Sequence, residues 1–173
     1  GLRRPSCLAS RSVRCATGWI GSDSRIEAGL PSESRGVKRT AVELPPFDSS
    51  AWLPGVRVVA SPNCDLRPPG AAVELIVVHA ISLPPNQFGG PAIEALFSNR
   101  LDPAAHPYFA EVARLEVSAH FLIRRDGELV QFVACDRRAW HAGSSIWRGR
   151  QRCNDFSIGI ELEGCDTRRF MPL

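Results

Sequence analysis

Lysine is almost missing from this chain: Lys38 stands alone against twenty arginines in 173 residues. So skewed a choice of cation reads as a coding bias rather than selection for phosphate binding, and nucleic acid is not an expected partner. No stretch approaches the roughly 18 apolar residues that span a bilayer, so no membrane association is expected. The start shows no secretory pattern either. Leu8-Ala9 is the longest apolar run before Cys15, and arginines interrupt the rest. The expected location is the cytoplasm. Six cysteines (Cys7, Cys15, Cys64, Cys135, Cys153, Cys165) include no CxxC pair. They read as reduced thiols, and a zinc ribbon is disfavoured. There is no internal repeat, and no histidine follows His141.

What is present suits one domain of ordinary size, with 44% hydrophobic residues. The net charge of +3 is unevenly placed, since residues 1–40 hold eight basic groups against three acidic ones. Residues 1–48 are rich in Ser, Gly and Arg and lack hydrophobic periodicity. They read as a disordered extension, with the folded domain over 49–173.

The domain is organised around Leu75-Ile76-Val77-Val78-His79-Ala80-Ile81. The apolar run predicts a strand buried on both faces, which carries an imidazole near its end and is stopped by Pro84-Pro85. A first short strand is expected over 56–60. Pro91 opens a predicted helix with Ile93, Leu96, Phe97 and Leu101 on one side, and a second helix fits Tyr108, Phe109, Val112 and Leu115. Strands over 117–124 and 128–134 flank Asp126-Gly127, a signal for a two-residue hairpin loop. Phe156 to Glu163 alternates cleanly. Phe156, Ile158, Ile160 and Leu162 are expected to fill the core, with Ser157, Gly159, Glu161 and Glu163 facing a groove. Gly159 would leave open space beside Glu161. The fold class is α/β, a mixed β-sheet flanked by helices.

Three of the four histidines, His79, His120 and His141, lie on or beside predicted strands. Three imidazoles with an open fourth position make one zinc arrangement, with Glu161 as base for the bound water. The other reading leaves His120 and His141 as hydrogen-bonding groups outside the metal shell, and it is preferred for both.

The segments HAISLPP, FGGP, SAHFLIRRDG, WHAG and RCNDFSIGIELEG occur here in one order. Over about residues 52–166 they resemble the N-acetylmuramoyl-L-alanine amidases that act on anhydromuropeptides, a family shared with T7-type lysozyme and the peptidoglycan recognition proteins. The resemblance implies a zinc-dependent amidase. It would cleave the amide between anhydro-N-acetylmuramic acid and L-alanine in recycled cell-wall muropeptides, as a monomer acting on a small-molecule substrate. His79 matches the first zinc ligand and Glu161 the acidic residue that handles the proton of the attacking water. Arg152, Asn154, Trp140 and His141 match segments lining the substrate groove.

The chain departs from the family at Ala80, where Asn is common, and at Glu116, where Arg is expected. It also lacks a segment resembling HxDIAPxRKxDPG, which carries a His and an Asp ligand and a lysine. The resemblance therefore implies a domain incomplete at its C-terminal end, with two of three zinc ligands absent. A catalytically inactive muropeptide-binding remnant is the alternative.

Overall fold

The computed structural model describes residues 51–165 and a two-residue strand, Arg14–Cys15. In chain order the strands are β1 (Arg14–Cys15), β2 (Arg57–Val58), β3 (Cys64–Leu66), β4 (Leu75–Ile81), β5 (Phe121–Ile123), β6 (Leu129–Gln131), β7 (Arg137–Ala139), β8 (Ile146–Trp147), β9 (Arg150–Gln151) and β10 (Ser157–Glu163). Two short helices, α1 (Ala92–Phe97) and α2 (Pro107–Val112), lie between β4 and β5, and a 3-10 turn over Cys153–Phe156 feeds β10. Of the extension expected to be disordered, only β1 falls within the described residues. It pairs antiparallel with Val77 and Val78.

The main sheet is mixed, in the order β1-β4-β10-β5-β6-β2. Its two long strands, β4 and β10, run parallel at its centre and pair along their whole length, from Leu75 with Ser157 to Ile81 with Glu163. A parallel pair needs a long crossover. Here that connection holds both helices, β5 to β9 and the 3-10 turn, so the central strands come from opposite ends of the domain.

The helices form where the apolar spacing places them. Ile93, Leu96 and Phe97 of α1 are buried, as are Phe109 and Val112 of α2. His106 caps α2, its Nδ1 accepting the Tyr108 N–H at 3.1 Å. Leu115, expected on α2, lies beyond its end and is 43% exposed.

The hairpin after β5 departs from expectation. Gly127 N–H donates to Arg124 O at 3.0 Å, and Arg124 N–H donates to Glu128 O at 2.9 Å. Gly127 has φ +89°, while Asp126 is not among the residues with positive φ. The loop is therefore three residues long, a turn completed by a left-handed glycine, because the two-residue type I′ form needs positive φ at both positions.

The alternation along β10 is as expected, but its inside and outside are exchanged. Ser157, Gly159 and Glu163 are buried, whereas Ile158 and Ile160 are only half-buried. The reason lies in what packs where. One cluster joins the helices to Leu122 and Val130, and a second joins Leu75 and Val77 to Cys153 and Phe156. Both lie on the Ser157 side of the sheet. On the opposite face of β4, Ile76 is 49% exposed, so this strand is not buried on both faces as its apolar run suggested.

Candidate active site

Register brings the first two residues together. His79 on β4 and Glu161 on β10 are direct partners across a parallel pair, so their side chains leave the sheet on the same face. Two residues further on, the same face of β10 carries Glu163, and the contrast between the two carboxylates is informative. Glu163 accepts from Gly89 N–H at 2.6 Å and Arg125 N–H at 3.2 Å, and pairs with Arg124 at 3.3 Å. Oε2 of Glu161 is buried and has no hydrogen-bond partner. Burial alone pushes the Glu161 carboxyl up to about 8. The residue as a whole is half-buried, so the other side of its carboxyl is not sealed from the face that carries His79.

His141 completes the group. It follows β7, and Asn154 holds its loop: Asn154 Oδ1 accepts from Ala142 N–H at 2.8 Å and His141 N–H at 3.3 Å. The His141 ring lies over Gly159, where a Cβ would come within 2.4 Å of His141 Cγ. The open space expected beside Gly159 is thus filled by an imidazole. His141 Nδ1 stands 3.1 Å from His79 Nε2, and its Nε2 stands 3.2 Å from Ser157 Oγ.

His120, on the far side of His141 with ring centroids 5.9 Å apart, is fully buried and held by backbone. Gly159 N–H donates to its Nδ1 at 3.0 Å, and its Nε2 faces Arg137 O at 3.1 Å. Burial lowers the pKa of all three histidines, His120 to about 4. For His141 the neighbouring His79, His120 and Arg67 add to the same direction. All three are neutral near pH 7.

The remaining expected side chains, Trp140 and Arg152, make their contacts with Asp65 and Asp155 rather than with His79 or Glu161. Trp140 is half-buried, its indole bonded to Asp65. Arg152 is turned outward with its side chain 68% exposed, and pairs with Asp155 at 3.2 Å. Its backbone has a left-handed φ of 63° as it enters the 3-10 turn.

Two residues escaped the sequence reading. Arg67 donates to backbone carbonyls of Cys135, Asn154, Asp155 and Ser157, tying the loop before β4 to the start of β10. Ser157 meets His141 and was legible only as a small polar residue on the Glu161 face.

The chemistry of this donor set does not make a zinc site. Among the described residues there is no group of three or more His, Cys, Asp or Glu side chains able to hold a metal. His79 and His141 are turned toward each other in a hydrogen bond, and His120 spends both ring nitrogens on backbone.

Comparison with known proteins agrees with the motifs. The family model described as N-acetylmuramoyl-L-alanine amidase matches residues 69–172. The 1,6-anhydro-N-acetylmuramyl-L-alanine amidase AmpD of Escherichia coli (strain K12) is 66% identical over 116 residues, covering 67% of this chain and 63% of that protein. The AmpD of Haemophilus influenzae is 51% identical over 118 residues, covering 68% and 64%. The chain therefore spans a little under two thirds of the length of these relatives. A crystal structure of a selenomethionine AmpD derivative superimposes with a TM-score of 0.68 at 62% identity, over 70% of this chain and 68% of that one. The α/β fold with a mixed sheet is shared with it. The chain belongs to the N-acetylmuramoyl-L-alanine amidase family.

Proposed function

We propose that this domain hydrolyses the amide between the lactyl group of anhydro-N-acetylmuramic acid and L-alanine, within peptidoglycan recycling in the cytoplasm. The similarity to amidases named for that bond supports the substrate. The single observation that carries the chemistry is the buried, unpartnered Oε2 of Glu161, on the strand position that pairs with His79.

Amide hydrolysis needs a proton taken from water and then given to the departing amine. A carboxyl with a pKa of about 8 exchanges a proton near neutrality, so Glu161 suits both halves of that transfer. Asn154 fixes the backbone of the His141 loop, and through it the imidazole beside His79. The exposed Arg152 guanidinium suits the carboxylates of a stem peptide, with Trp140 as neighbouring groove wall. The family is generally zinc-dependent. Since the residues present do not assemble a zinc site, no step is assigned to a metal here.

That same shortage of ligands favours a second reading, a monomeric domain that binds anhydromuropeptides without turning them over. Incubation with anhydro-N-acetylmuramyl-tripeptide separates the two. Release of anhydro-N-acetylmuramic acid, lost in Glu161→Gln, supports the amidase; saturable binding with no release supports the second reading.

A further inference from the structure

The hydrogen bonds behind His79 have a direction, and it can be worked out from one end. Ser157 Oγ lies 2.6 Å from the carbonyl oxygen of Cys153. Two oxygens so close require a proton between them, and a carbonyl has none, so the Ser157 hydroxyl donates there. A hydroxyl has a single proton. Ser157 Oγ can therefore only accept from His141 Nε2, 3.2 Å away.

The rest follows ring by ring. A neutral imidazole carries one N–H and one bare nitrogen. With its proton on Nε2, His141 offers a lone pair at Nδ1, and the 3.1 Å contact there is a bond donated by His79 Nε2–H. His79, neutral in turn, is left with a bare Nδ1. Gly159 closes the arrangement, since the absence of a Cβ lets the His141 ring lie against β10 in reach of both partners.

We propose that Ser157 and His141 are positioning residues that lock His79 in its Nε2–H tautomer, so that Nδ1 is the nitrogen it offers to the amidase reaction. The proposal deepens the amidase reading and, for its functional part, rests on it. The lock itself is a property of the chain without substrate. His120 supplies an internal reference. Gly159 N–H occupies its Nδ1, so its proton must sit on Nε2 and point to Arg137 O. Arg67 Nη2, 3.2 Å from that Nε2, then donates to Ser157 O at 2.9 Å instead.

Long-range proton–nitrogen correlation spectra of the ¹⁵N-labelled 173-residue chain at neutral pH read each tautomer directly. The expected result is a protonated Nε2 and a bare Nδ1 for His79, His120 and His141. In Ser157→Ala the acceptor is lost. His79 and His141 should then lose the pure Nε2–H pattern while His120 keeps it, and Ser157→Thr should restore it. A proton on Nδ1 of His79 in the parent chain overturns the proposal without any variant. So does an unchanged His79 and His141 pattern in Ser157→Ala. The expected spectra with no muropeptide hydrolysis would sink the amidase reading and leave the lock standing; hydrolysis with the reversed tautomer would do the opposite.

Discussion

Gly159 and His141 share one space: the imidazole occupies the position that a side chain on residue 159 would need, with contacts of 2.4 to 2.7 Å from a Cβ to three ring atoms. The glycine in the middle of a core strand is thus explained by a ring from a loop eighteen residues upstream. The same ring touches His79 and Ser157, so crowding at residue 159 reaches the candidate active site.

Gly159→Ala is expected to destabilise the fold by about 1–3 kcal/mol, the usual cost of overpacking a filled core. It should also reduce muropeptide hydrolysis further than that loss of folded protein accounts for. Urea unfolding followed in parallel with anhydro-N-acetylmuramic acid release checks both. A variant as stable and as active as its parent would mean the ring has room to retreat.

Glu161 makes the alkaline side of the stability profile. Its folded pKa, about 8, lies above the ordinary 4.5. Its favourable contribution is therefore complete below about pH 4.5 and is lost as pH rises to about 8. Ionising it in place costs on the order of a few kcal/mol. Glu161→Gln should raise the midpoint of thermal unfolding at pH 8.5 and change it little at pH 4.5, while abolishing hydrolysis. Equal midpoints at pH 8.5 would show that the carboxylate finds solvent.

The acid side belongs to the histidines. His120 titrates near 4 in the folded chain, against an ordinary value of 6.5. Stability tied to it is full above pH 6.5 and is lost as pH falls toward 4. His79 and His141 shift in the same direction. Unfolding midpoints should therefore drop between pH 6.5 and pH 4. Histidine proton shifts followed over that range should show no titration of His120 near 6.5; a His120 resonance moving there would contradict the buried, backbone-held ring.

Much of this was legible in order of residues, and less in depth. The pattern from Leu75 to Ile81 and from Ser157 to Glu163 is long enough to declare two strands, and both formed. Alternation also put Glu161 and Glu163 on one face. What alternation cannot say is which face is covered, because Ile158 and Ile160 look like core until the positions of the helices are known. Nor does it reveal that Glu163 is matched by Arg124 and two backbone donors while Oε2 of Glu161 has no hydrogen-bond partner. Those partners come from the loop before α1 and the hairpin after β5, distant in sequence. Ser157 was unreadable for a related reason: its meaning depends on a carbonyl of Cys153 and a ring on another loop.

The domain boundary expected near Ser49 also admits a direct test. Both core clusters are made of residues from 59 onward, and the head adds to the described structure only the two-residue strand β1. A chain starting at Ser49 should unfold in one cooperative transition, with a midpoint close to that of residues 1–173. Losing cooperativity on removal of residues 1–48 would make the head part of the fold.

Zinc affinity tests how the histidines are employed. A catalytic zinc is held by three protein ligands with one position left for water. In this chain His120 gives both nitrogens to backbone, and His141 gives one to Ser157 and the other to His79. Of these three rings that leaves His79, and one neutral imidazole is too little to hold the metal firmly. Titration of the 173-residue chain at neutral pH should show weak, substoichiometric zinc binding that His79→Ala removes. Appending a segment with the His and Asp that the family resemblance implies should raise zinc affinity by orders of magnitude. Tight one-to-one binding by the chain as it stands would mean that His141 and His120 abandon their present partners for the metal, and would restore the three-imidazole site.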